Sequence, residues 1–280
     1  MIILDGKKLS QKDTIFLKEK VNQFKIKPVF TIVQVGNLFS SNKYIKTKMD
    51  KALEIGVVSR LIKIPESISE KDLISIIEEE SKISHGLIVQ LPLPLQFDQS
   101  KILNSVPITK DIDGLSEKNS KNLYSGKSCI QPATARGIID LIKEYNFTIK
   151  DKKVYVIGES NLVGKPIKEL FKQAGAIVKS FNINTGIKGS EEADILIVAA
   201  GHPNLVKPEN VKNNSIVIDV GINSIGENDK MIVTGDVDFS NVKTKVKAIS
   251  PVPGGVGPMT VISLFKNLIE IFEKYLLDDN

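Results

Sequence analysis

The chain has 280 residues, of which 41% are hydrophobic and 25% charged, a composition typical of a globular protein with about two domains. Because the chain has one cysteine, Cys129, it cannot form an intramolecular disulfide, which indicates a reducing compartment. One cysteine and two histidines in the whole sequence are too few for a usual zinc site, and no metal is expected. The net charge of +5 comes from scattered lysines, with only Arg60 and Arg136 as arginines, which argues against a nucleic-acid partner.

The apolar segments are short. The longest runs, such as residues 195–200, are far below the length that crosses a bilayer. Asp5 interrupts the N-terminal apolar residues before a signal-peptide region could form. We therefore expect a cytoplasmic protein with no membrane partner.

The first 130 residues alternate between helical and strand patterns. Leu17, Val21 and Phe24 recur at helical spacing, which predicts an amphipathic helix after Ser10. Apolar runs predict strands over residues 29–35, 57–64 and 86–90, and the last of these ends on the polar Gln90. Capping residues are expected at four further places: Ser40 or Ser41 at the start and Gly56 at the end of one helix, Ser69 with Asp72 at the start of a second, and Thr134 at the start of a third.

From residue 154 onward, strands and helices alternate regularly. Continuous apolar runs predict strands over 154–157, 176–181, 194–199 and 215–220, and their lack of polar alternation indicates a parallel sheet covered on both faces. A glycine–proline loop over 251–260 precedes a final helix from Thr260 to about Leu276, apolar over a wide arc. The predicted architecture is α/β in two lobes, with a ligand in the cleft between them.

The stretch KVYVIGESNLVGKP at 153–166 reads as a strand, a glycine turn and a helix. This order places backbone N–H groups and the positive end of a helix dipole beside the turn, which suits the pyrophosphate of a dinucleotide. The glycines are spaced Gly158-x5-Gly164 and not as G-x-G-x-x-G. An ordinary strand-to-helix turn therefore remains an equally good interpretation.

Tyr44 and Lys48 are the first candidates for chemistry. They lie four residues apart on one predicted helix face, beside the apolar stripe of that helix. A lysine desolvated by such packing favours its neutral, proton-accepting form, although a surface lysine beside a core-edge tyrosine explains the spacing as well. Gln90 ends a strand, and Asp113 lies in the turn 111–114, where it could form an Asx-turn or accept hydrogen bonds from an amino-heterocycle.

Local sequence does not decide the cofactor. An NAD site is expected to carry an acid about twenty residues after the first glycine and an NADP site an arginine, but the segment ending the second strand (179–185) has neither. Glu159, directly after Gly158, has the wrong charge to face a 2′-phosphate. Cys129 and His202 form no convincing nucleophile–base pair and are interpreted as structural.

Together these motifs resemble the bifunctional methylenetetrahydrofolate dehydrogenase/methenyltetrahydrofolate cyclohydrolase family. The resemblance runs nearly from end to end, and the strings at 86–94 and 251–260 are highly specific. The matching segments are LDG at 4–6, SNKYIKTK at 41–48, GLIVQLPLP at 86–94, KDIDG at 110–114, GESNLVGKP at 158–166, IDVGIN at 218–223, GDVD at 235–238 and PVPGGVGPMT at 251–260.

The resemblance implies a folate-binding catalytic domain over residues 1–130, joined by the C-terminal helix 260–280, and a Rossmann-like NAD(P)-binding domain over 131–257. It implies oxidation of 5,10-methylenetetrahydrofolate by NAD(P)⁺ and hydrolysis of the methenyl product to 10-formyltetrahydrofolate, by a homodimer whose default cofactor is NADP. The residues it implies are Lys48 as the proton-transfer group with Tyr44 as helper, Gln90 to orient Lys48, Asp113 on the pterin edge, Pro253, Gly254 and Gly255 over the folate, and Gly158, Glu159, Ser160 and Ile222 at the dinucleotide.

The chain departs from the family pattern at three places, one of which is the end of the second strand, where Asn182, Ile183 and Asn184 stand in place of the usual Ser, Arg or Lys. Glu159 stands where the family usually has an arginine for the NADP 2′-phosphate, which makes NAD plausible. Residues 132–135 read Pro-Ala-Thr-Ala in place of Pro-Cys-Thr-Pro. These departures keep two alternatives open: a cyclohydrolase whose dehydrogenase is weak or lost, and a non-catalytic nucleotide- or folate-binding protein.

Overall fold

The computed structural model describes residues 1–225 and 232–278. The strands in these ranges are β1 (Ile2–Ile3), β2 (Val29–Val35), β3 (Val58–Ile64), β4 (Gly86–Val89), β5 (Lys153–Ile157), β6 (Ile177–Phe181), β7 (Ile195–Val198), β8 (Ile216–Asp219), β9 (Asn223–Ile225), β10 (Ile232–Thr234) and β11 (Ala248–Ile249). The α-helices are α1 (Gly6–Asn22), α2 (Phe39–Ile55), α3 (Glu70–Ile83), α4 (Gln99–Asn104), α5 (Glu117–Tyr124), α6 (Ala133–Glu144), α7 (Gly164–Gln173), α8 (Phe239–Val242) and α9 (Val256–Asp278).

The chain forms two compact units. The large-sheet unit comprises Met1–Ser10 and Thr134–Thr260, and the small-sheet unit comprises Gln11–Ala133 and the chain from Val261 onward. Met1–Ser10 falls in the large-sheet unit because β1 pairs in parallel with β11. None of the helices within the described ranges combines the length and apolarity that a bilayer crossing requires.

The large-sheet unit contains a parallel sheet in the order β1-β11-β8-β7-β5-β6. All residues of β7 and β8 are buried, as expected for strands covered on both faces. Helix α7 buries Ile167, Leu170 and Phe171, three residues at helical spacing. Strand β5 lies between β6 and β7 and is parallel to both, so the carboxyl ends of these three strands lie at the same end of the sheet. Ligands bind at this end in doubly wound folds.

The small-sheet unit is built on three parallel strands in the order β3-β2-β4. The segment of Asp111 extends the outer side of β4 through a bridge to Leu87. From Val261 onward, α9 belongs to this unit: the Phe265 ring packs edge-on against Phe30 with centroids 5.5 Å apart. The predicted two-lobed α/β fold, with the final helix on the first lobe, is thereby confirmed.

Several local predictions are confirmed and others are wrong. The predicted strands are present within two residues of their expected bounds, Gly56 ends α2 in the left-handed conformation, and Ser69 accepts a hydrogen bond from the backbone N–H of Asp72. The predicted helix starts are the least accurate, because α1, α6 and α9 begin at Gly6, Ala133 and Val256, earlier than expected. Helix α2 begins at Phe39 after Leu38, so neither Ser40 nor Ser41 holds the N-cap position, and Thr134 lies inside α6.

Candidate functional site

Lys48 and Gln90 form the centre of the candidate site in the small-sheet unit. Lys48 lies on α2, and its Nζ donates a hydrogen bond of 2.9 Å to Oε1 of Gln90, directly after β4. The Gln90 side chain is 8% exposed, and its Nε2 donates to the carbonyl oxygen of Leu91 at 2.6 Å. That second bond fixes the amide orientation, because it uses the NH₂ group and leaves Oε1 for the lysine.

Burial shifts the ionisation of the α2 pair. Protein atoms crowd the amine of Lys48, and this desolvation lowers its pKa, while the negative charge of Asp113 acts in the opposite direction. Tyr44, one helical turn away, keeps 38% of its surface exposed, and burial of the remainder raises the pKa of its hydroxyl. The surroundings of Lys48 therefore agree with the desolvated lysine, one of the two interpretations that the spacing allows, and its role stays a prediction.

Two carboxylates of the turn after α4 have opposite surroundings. Asp111 is buried and accepts four hydrogen bonds, three from the backbone N–H groups of residues 114–116 and one from Nδ2 of Asn119. Within the described residues, the Asp113 carboxylate accepts no hydrogen bond from the protein. Burial raises the pKa of Asp113 to about 6, although Lys48 acts to lower it. Asp111 therefore shapes the turn, whereas the Asp113 carboxylate keeps its capacity to accept hydrogen bonds.

The glycine turn of the large-sheet unit packs closely against its surroundings. Gly158 has a φ of 114°, and a Cβ added there would overlap the carbonyl oxygen of Ala199 at the end of β7. A Cβ at Gly164 would overlap the carbonyl oxygen of Gly158, so the x5 spacing lets α7 begin directly against the turn. Ser160 Oγ accepts bonds from the N–H groups of Val163 and Gly164, at 3.2 and 3.4 Å, and thus occupies part of the donor set at the start of α7.

Glu159 lies beside the end of the neighbouring strand β6. Its carboxylate accepts hydrogen bonds from Ser180 Oγ and Asn182 Nδ2, and Lys168 Nζ lies 3.7 Å from its Oε1. The hydrogen bonds from Ser180 and Asn182 are the main causes that lower the pKa of Glu159. The sequence showed no acid at the end of the second strand, yet the fold brings one there from the first turn.

Ile222 follows β8 in a loop held by two buried aspartates. Asp219 accepts hydrogen bonds from the backbone N–H groups of Gly221, Asp236 and Val237. Asp236 accepts from the N–H groups of residues 200 and 201 and from a side-chain amide. Ile222 itself is 48% exposed, so the loop presents an apolar side chain at the carboxyl end of the sheet.

The glycine–proline loop belongs to the large-sheet unit. Gly254 has a φ of 109°, and its carbonyl oxygen accepts a hydrogen bond of 2.9 Å from the N–H of Lys7. Gly255 donates to the carbonyl oxygen of Pro251, and a Cβ at Gly255 would crowd that oxygen. Pro253 lies between these contacts, so the loop is fixed by backbone interactions.

The sequence therefore predicted residues that the structure groups into two sites. Lys48, Gln90 and Asp113 come together in the small-sheet unit, with Tyr44 on the same helix, and Gly158, Glu159 and Ser160 come together in the large-sheet unit. Sequence reasoning missed Lys168 and Ser180 beside Glu159. The available signal was the parallel order of β5 and β6, which brings the residues after both strands to one edge.

Known proteins share this organisation. Residues 4–113 match the family model "tetrahydrofolate dehydrogenase/cyclohydrolase, catalytic domain", and residues 132–276 match its NAD(P)-binding domain. The bifunctional protein FolD of Mycoplasmopsis synoviae (strain 53) is 43% identical over 279 residues, covering 98% of this chain and 100% of that protein.

Solved structures agree with the family models. The bifunctional FolD methylenetetrahydrofolate dehydrogenase/cyclohydrolase of Campylobacter jejuni has a TM-score of 0.94 at 37% identity, covering 98% of this chain and 99% of that one. The Trypanosoma brucei enzyme, complexed with NADP cofactor and inhibitor, has a TM-score of 0.93 at 28% identity, covering 99% of this chain and 98% of that one. The chain therefore belongs to the tetrahydrofolate dehydrogenase/cyclohydrolase family and carries both its catalytic and its NAD(P)-binding domain.

Proposed function

We propose that this chain converts 5,10-methylenetetrahydrofolate to 10-formyltetrahydrofolate in two steps. First, the methylene carbon gives a hydride to the nicotinamide ring of NAD(P)⁺, which leaves the 5,10-methenyl cation. Water then adds to that carbon, one C–N bond of the five-membered ring opens, and one proton is released overall. The small-sheet unit supplies the folate site and the large-sheet unit the dinucleotide site. The observation that carries this proposal is the desolvated amine of Lys48 held on Gln90.

Lys48 is the proton-transfer group of the hydrolytic step. A water molecule that attacks the methenyl carbon must lose a proton, and an amine accepts it only in the neutral form. Desolvation lowers the pKa of Lys48 toward the working range and thereby increases the neutral fraction near neutral pH. The hydrogen bond to Gln90 holds the amine in one place, since the Gln90 amide is itself fixed by Leu91.

Asp113 and Tyr44 complete the folate site. A pterin presents adjacent N–H donors on one edge, and a carboxylate without protein donors has acceptor capacity for them. With a pKa of about 6, Asp113 is mostly ionised at neutral pH and can accept both bonds. Tyr44, whose raised pKa keeps its hydroxyl protonated, donates to substrate or relays protons beside Lys48. The assignment of Pro253, Gly254 and Gly255 to the folate rests on the family pattern alone.

The residues of the large-sheet unit fit a nicotinamide dinucleotide. The absence of a Cβ at Gly158 lets the turn pack directly against the Ala199 carbonyl, and Ser160 offers a hydroxyl at the start of α7. Ile222 offers an apolar surface for a flat ring. When bound, the dinucleotide supplies the hydride acceptor. NADP is the default of the family, and Glu159 makes NAD compatible with this chain.

A homodimer in the cytoplasm is proposed from the resemblance. Strand β6 lies at the edge of its sheet, and the unpaired backbone groups of an edge strand can pair with another chain. Light scattering coupled to size exclusion would measure the mass in solution. A monomeric mass at micromolar concentration would contradict the dimer.

The test of the hydrolytic role is Lys48→Met. The rate of methenyltetrahydrofolate hydrolysis is measured as the loss of the absorbance of this substrate. We expect this rate to fall by about 10²–10⁴-fold, the usual contribution of a general acid–base group. Lys46→Met is the matched control, because Lys46 lies on the same helix but is exposed and pairs with Asp50. Parent-like hydrolysis by the Lys48 variant would refute the assignment.

Hydride transfer assayed with NAD⁺ and NADP⁺ in parallel separates the bifunctional enzyme from its rivals. A cyclohydrolase with weak or lost dehydrogenase would hydrolyse methenyltetrahydrofolate at a normal rate and reduce neither dinucleotide. A non-catalytic binding protein would do neither. The bifunctional proposal requires both activities in one preparation.

A further inference from the structure

A carboxylate is held at the shared carboxyl edge of β5 and β6. Oε1 of Glu159 accepts a hydrogen bond of 2.5 Å from Ser180 Oγ, and its Oε2 accepts one of 2.9 Å from Asn182 Nδ2. The amide of Asn182 is oriented by its own Oδ1, which accepts from the backbone N–H groups of Asn184 and Thr185, both at 3.0 Å. The position of the acid is therefore fixed from the β6 side.

One ammonium accompanies this acid. Lys168 Nζ donates to Ser180 Oγ at 2.8 Å and lies 3.7 Å from the nearer oxygen of Glu159. The hydroxyl of Ser180 is thus an acceptor for the lysine and a donor to the glutamate. Glu159 keeps 34% of its side chain exposed, so a ligand can reach it, and each carboxylate oxygen has capacity for a further hydrogen bond.

In a dinucleotide-binding sheet, the end of the second strand is the place of the adenosine ribose, where an acid binds the 2′-hydroxyl. Here the second strand is β6, and Asn182 follows it, but Glu159 reaches the same place from the turn after β5. We propose that Glu159 accepts hydrogen bonds from the ribose hydroxyls, so that this site selects a dinucleotide with a free 2′-hydroxyl, NAD, over one with a 2′-phosphate. The inference rests on the proposed dinucleotide role of the large-sheet unit.

The alternative is that Lys168 binds a 2′-phosphate. Lys168 is already engaged by Ser180 and by the charge of Glu159, so its attraction for a phosphate is largely offset. A 2′-phosphate would also stand beside an acid that two hydrogen-bond donors hold in its ionised form. Repulsion between such close charges near a protein surface corresponds to about a tenfold or greater loss of affinity.

The test compares ligands that differ only in the 2′-phosphate. Calorimetric titration of the unmodified protein with 5′-AMP and with adenosine 2′,5′-bisphosphate, and fluorescence titration with NADH and NADPH, measure binding without any turnover. We expect the ligand with the free 2′-hydroxyl to bind about tenfold tighter or more in each pair. The Glu159→Gln variant keeps the shape of the side chain and removes its charge. In this variant, the ratio of the two affinities in each pair should fall to about threefold or less. Glu169→Gln removes an equal charge from α7, outside the contacts of Glu159, and should keep the affinity ratio of the parent.

The outcomes separate this inference from the proposed function. Equal or tighter binding of the 2′-phosphorylated ligands by the parent would overturn the inference and leave the dehydrogenase proposal standing. Selective loss of their binding in Lys168→Met would also overturn it, since that result assigns the phosphate to the lysine. If neither NADH nor NADPH binds, the dinucleotide role itself fails. Should Glu159→Gln not fold, the parent ratio and Lys168→Met still decide.

Discussion

Asp111 and Asp113 lie two residues apart in one turn, and the structure predicts opposite results for the same substitution. In Asp111→Asn, one oxygen that accepts two of the four hydrogen bonds becomes an NH₂ group, which faces donors. Two buried donors then lose their acceptor at about 1–3 kcal/mol each. We therefore expect the free energy of unfolding to fall by about 2–6 kcal/mol, measured by urea denaturation.

Asp113→Asn should leave stability unchanged or raise it slightly at alkaline pH. The folded pKa of Asp113, about 6, lies above the ordinary value of 3.8, so the folded state binds more protons between these values. Stability in the parent therefore falls as the pH rises through that window, by about 1–2 kcal/mol after allowing for partial exposure. The amide that replaces the carboxyl group does not titrate. The free energy of unfolding of the variant, relative to that of the parent, should therefore rise between about pH 4 and pH 8, a range chosen around the two pKa values.

The functional assay completes this pair. Loss of a charged acceptor for the pterin edge is expected to raise the KM for methenyltetrahydrofolate by about 10–100-fold in Asp113→Asn. In the parent, KM should rise as the pH falls below about 6, because Asp113 then becomes protonated. The variant should show no such rise in KM at acid pH. If Asp113→Asn unfolds as readily as Asp111→Asn, or binds folate with parental affinity, the division of roles is refuted.

Three further predictions concern the contacts around the two sites. Gln90→Leu removes the hydrogen-bond acceptor of Lys48, so the pKa of this amine should fall further. The acid limb of the pH–rate profile for hydrolysis should then move to lower pH, and the rate should be about tenfold lower. A profile identical to that of the parent would contradict the orienting role of Gln90. Gly158→Ala places a Cβ on the Ala199 carbonyl and should weaken NADH binding by about tenfold or more. Hydrolysis of methenyltetrahydrofolate should persist in this variant. An unchanged NADH affinity would show that the turn is not part of the dinucleotide site. Asp219→Asn turns one carboxylate oxygen into an NH₂ group, so at least one of the three backbone N–H donors loses its acceptor. The free energy of unfolding should therefore fall by about 1–3 kcal/mol or more in denaturant titrations; a neutral result would show that the loop of Ile222 does not depend on it.

Periodicity was sufficient to predict the elements but not all of their ends. The strands of four or more residues could be predicted because each is rich in apolar residues, whereas β1 and β11, with two residues each, are too short to show a pattern. The start of α9 was missed because a proline at position 258 suggested a loop. Proline is tolerated in the first turn of a helix, where its missing N–H would have no partner in any case.

The candidate site divides in the same way. Lys48 could be predicted because its position on an amphipathic helix follows from local spacing, and Gln90 because it ends a buried strand. The partners of Glu159 could not, because Ser180 and Asn182 become its neighbours only when β5 and β6 pair. The sequence was therefore informative about candidate residues and silent about the neighbours that strand pairing gives to Glu159.

In this chain, the count of protein donors separates acids that the fold engages fully from acids that keep capacity for a ligand. Asp111 accepts four hydrogen bonds from the turn it organises, and Asp219 accepts three, so neither retains much capacity for a substrate. Glu159 accepts one hydrogen bond on each oxygen, a number that fixes its position and still allows one more on each. Asp113 accepts none within the described residues. Because nearly all of the donors to Asp111 and Asp219 are backbone N–H groups, whose positions depend on the loop conformation, aspartates that look alike in the sequence acquire different roles only when the loops fold around them.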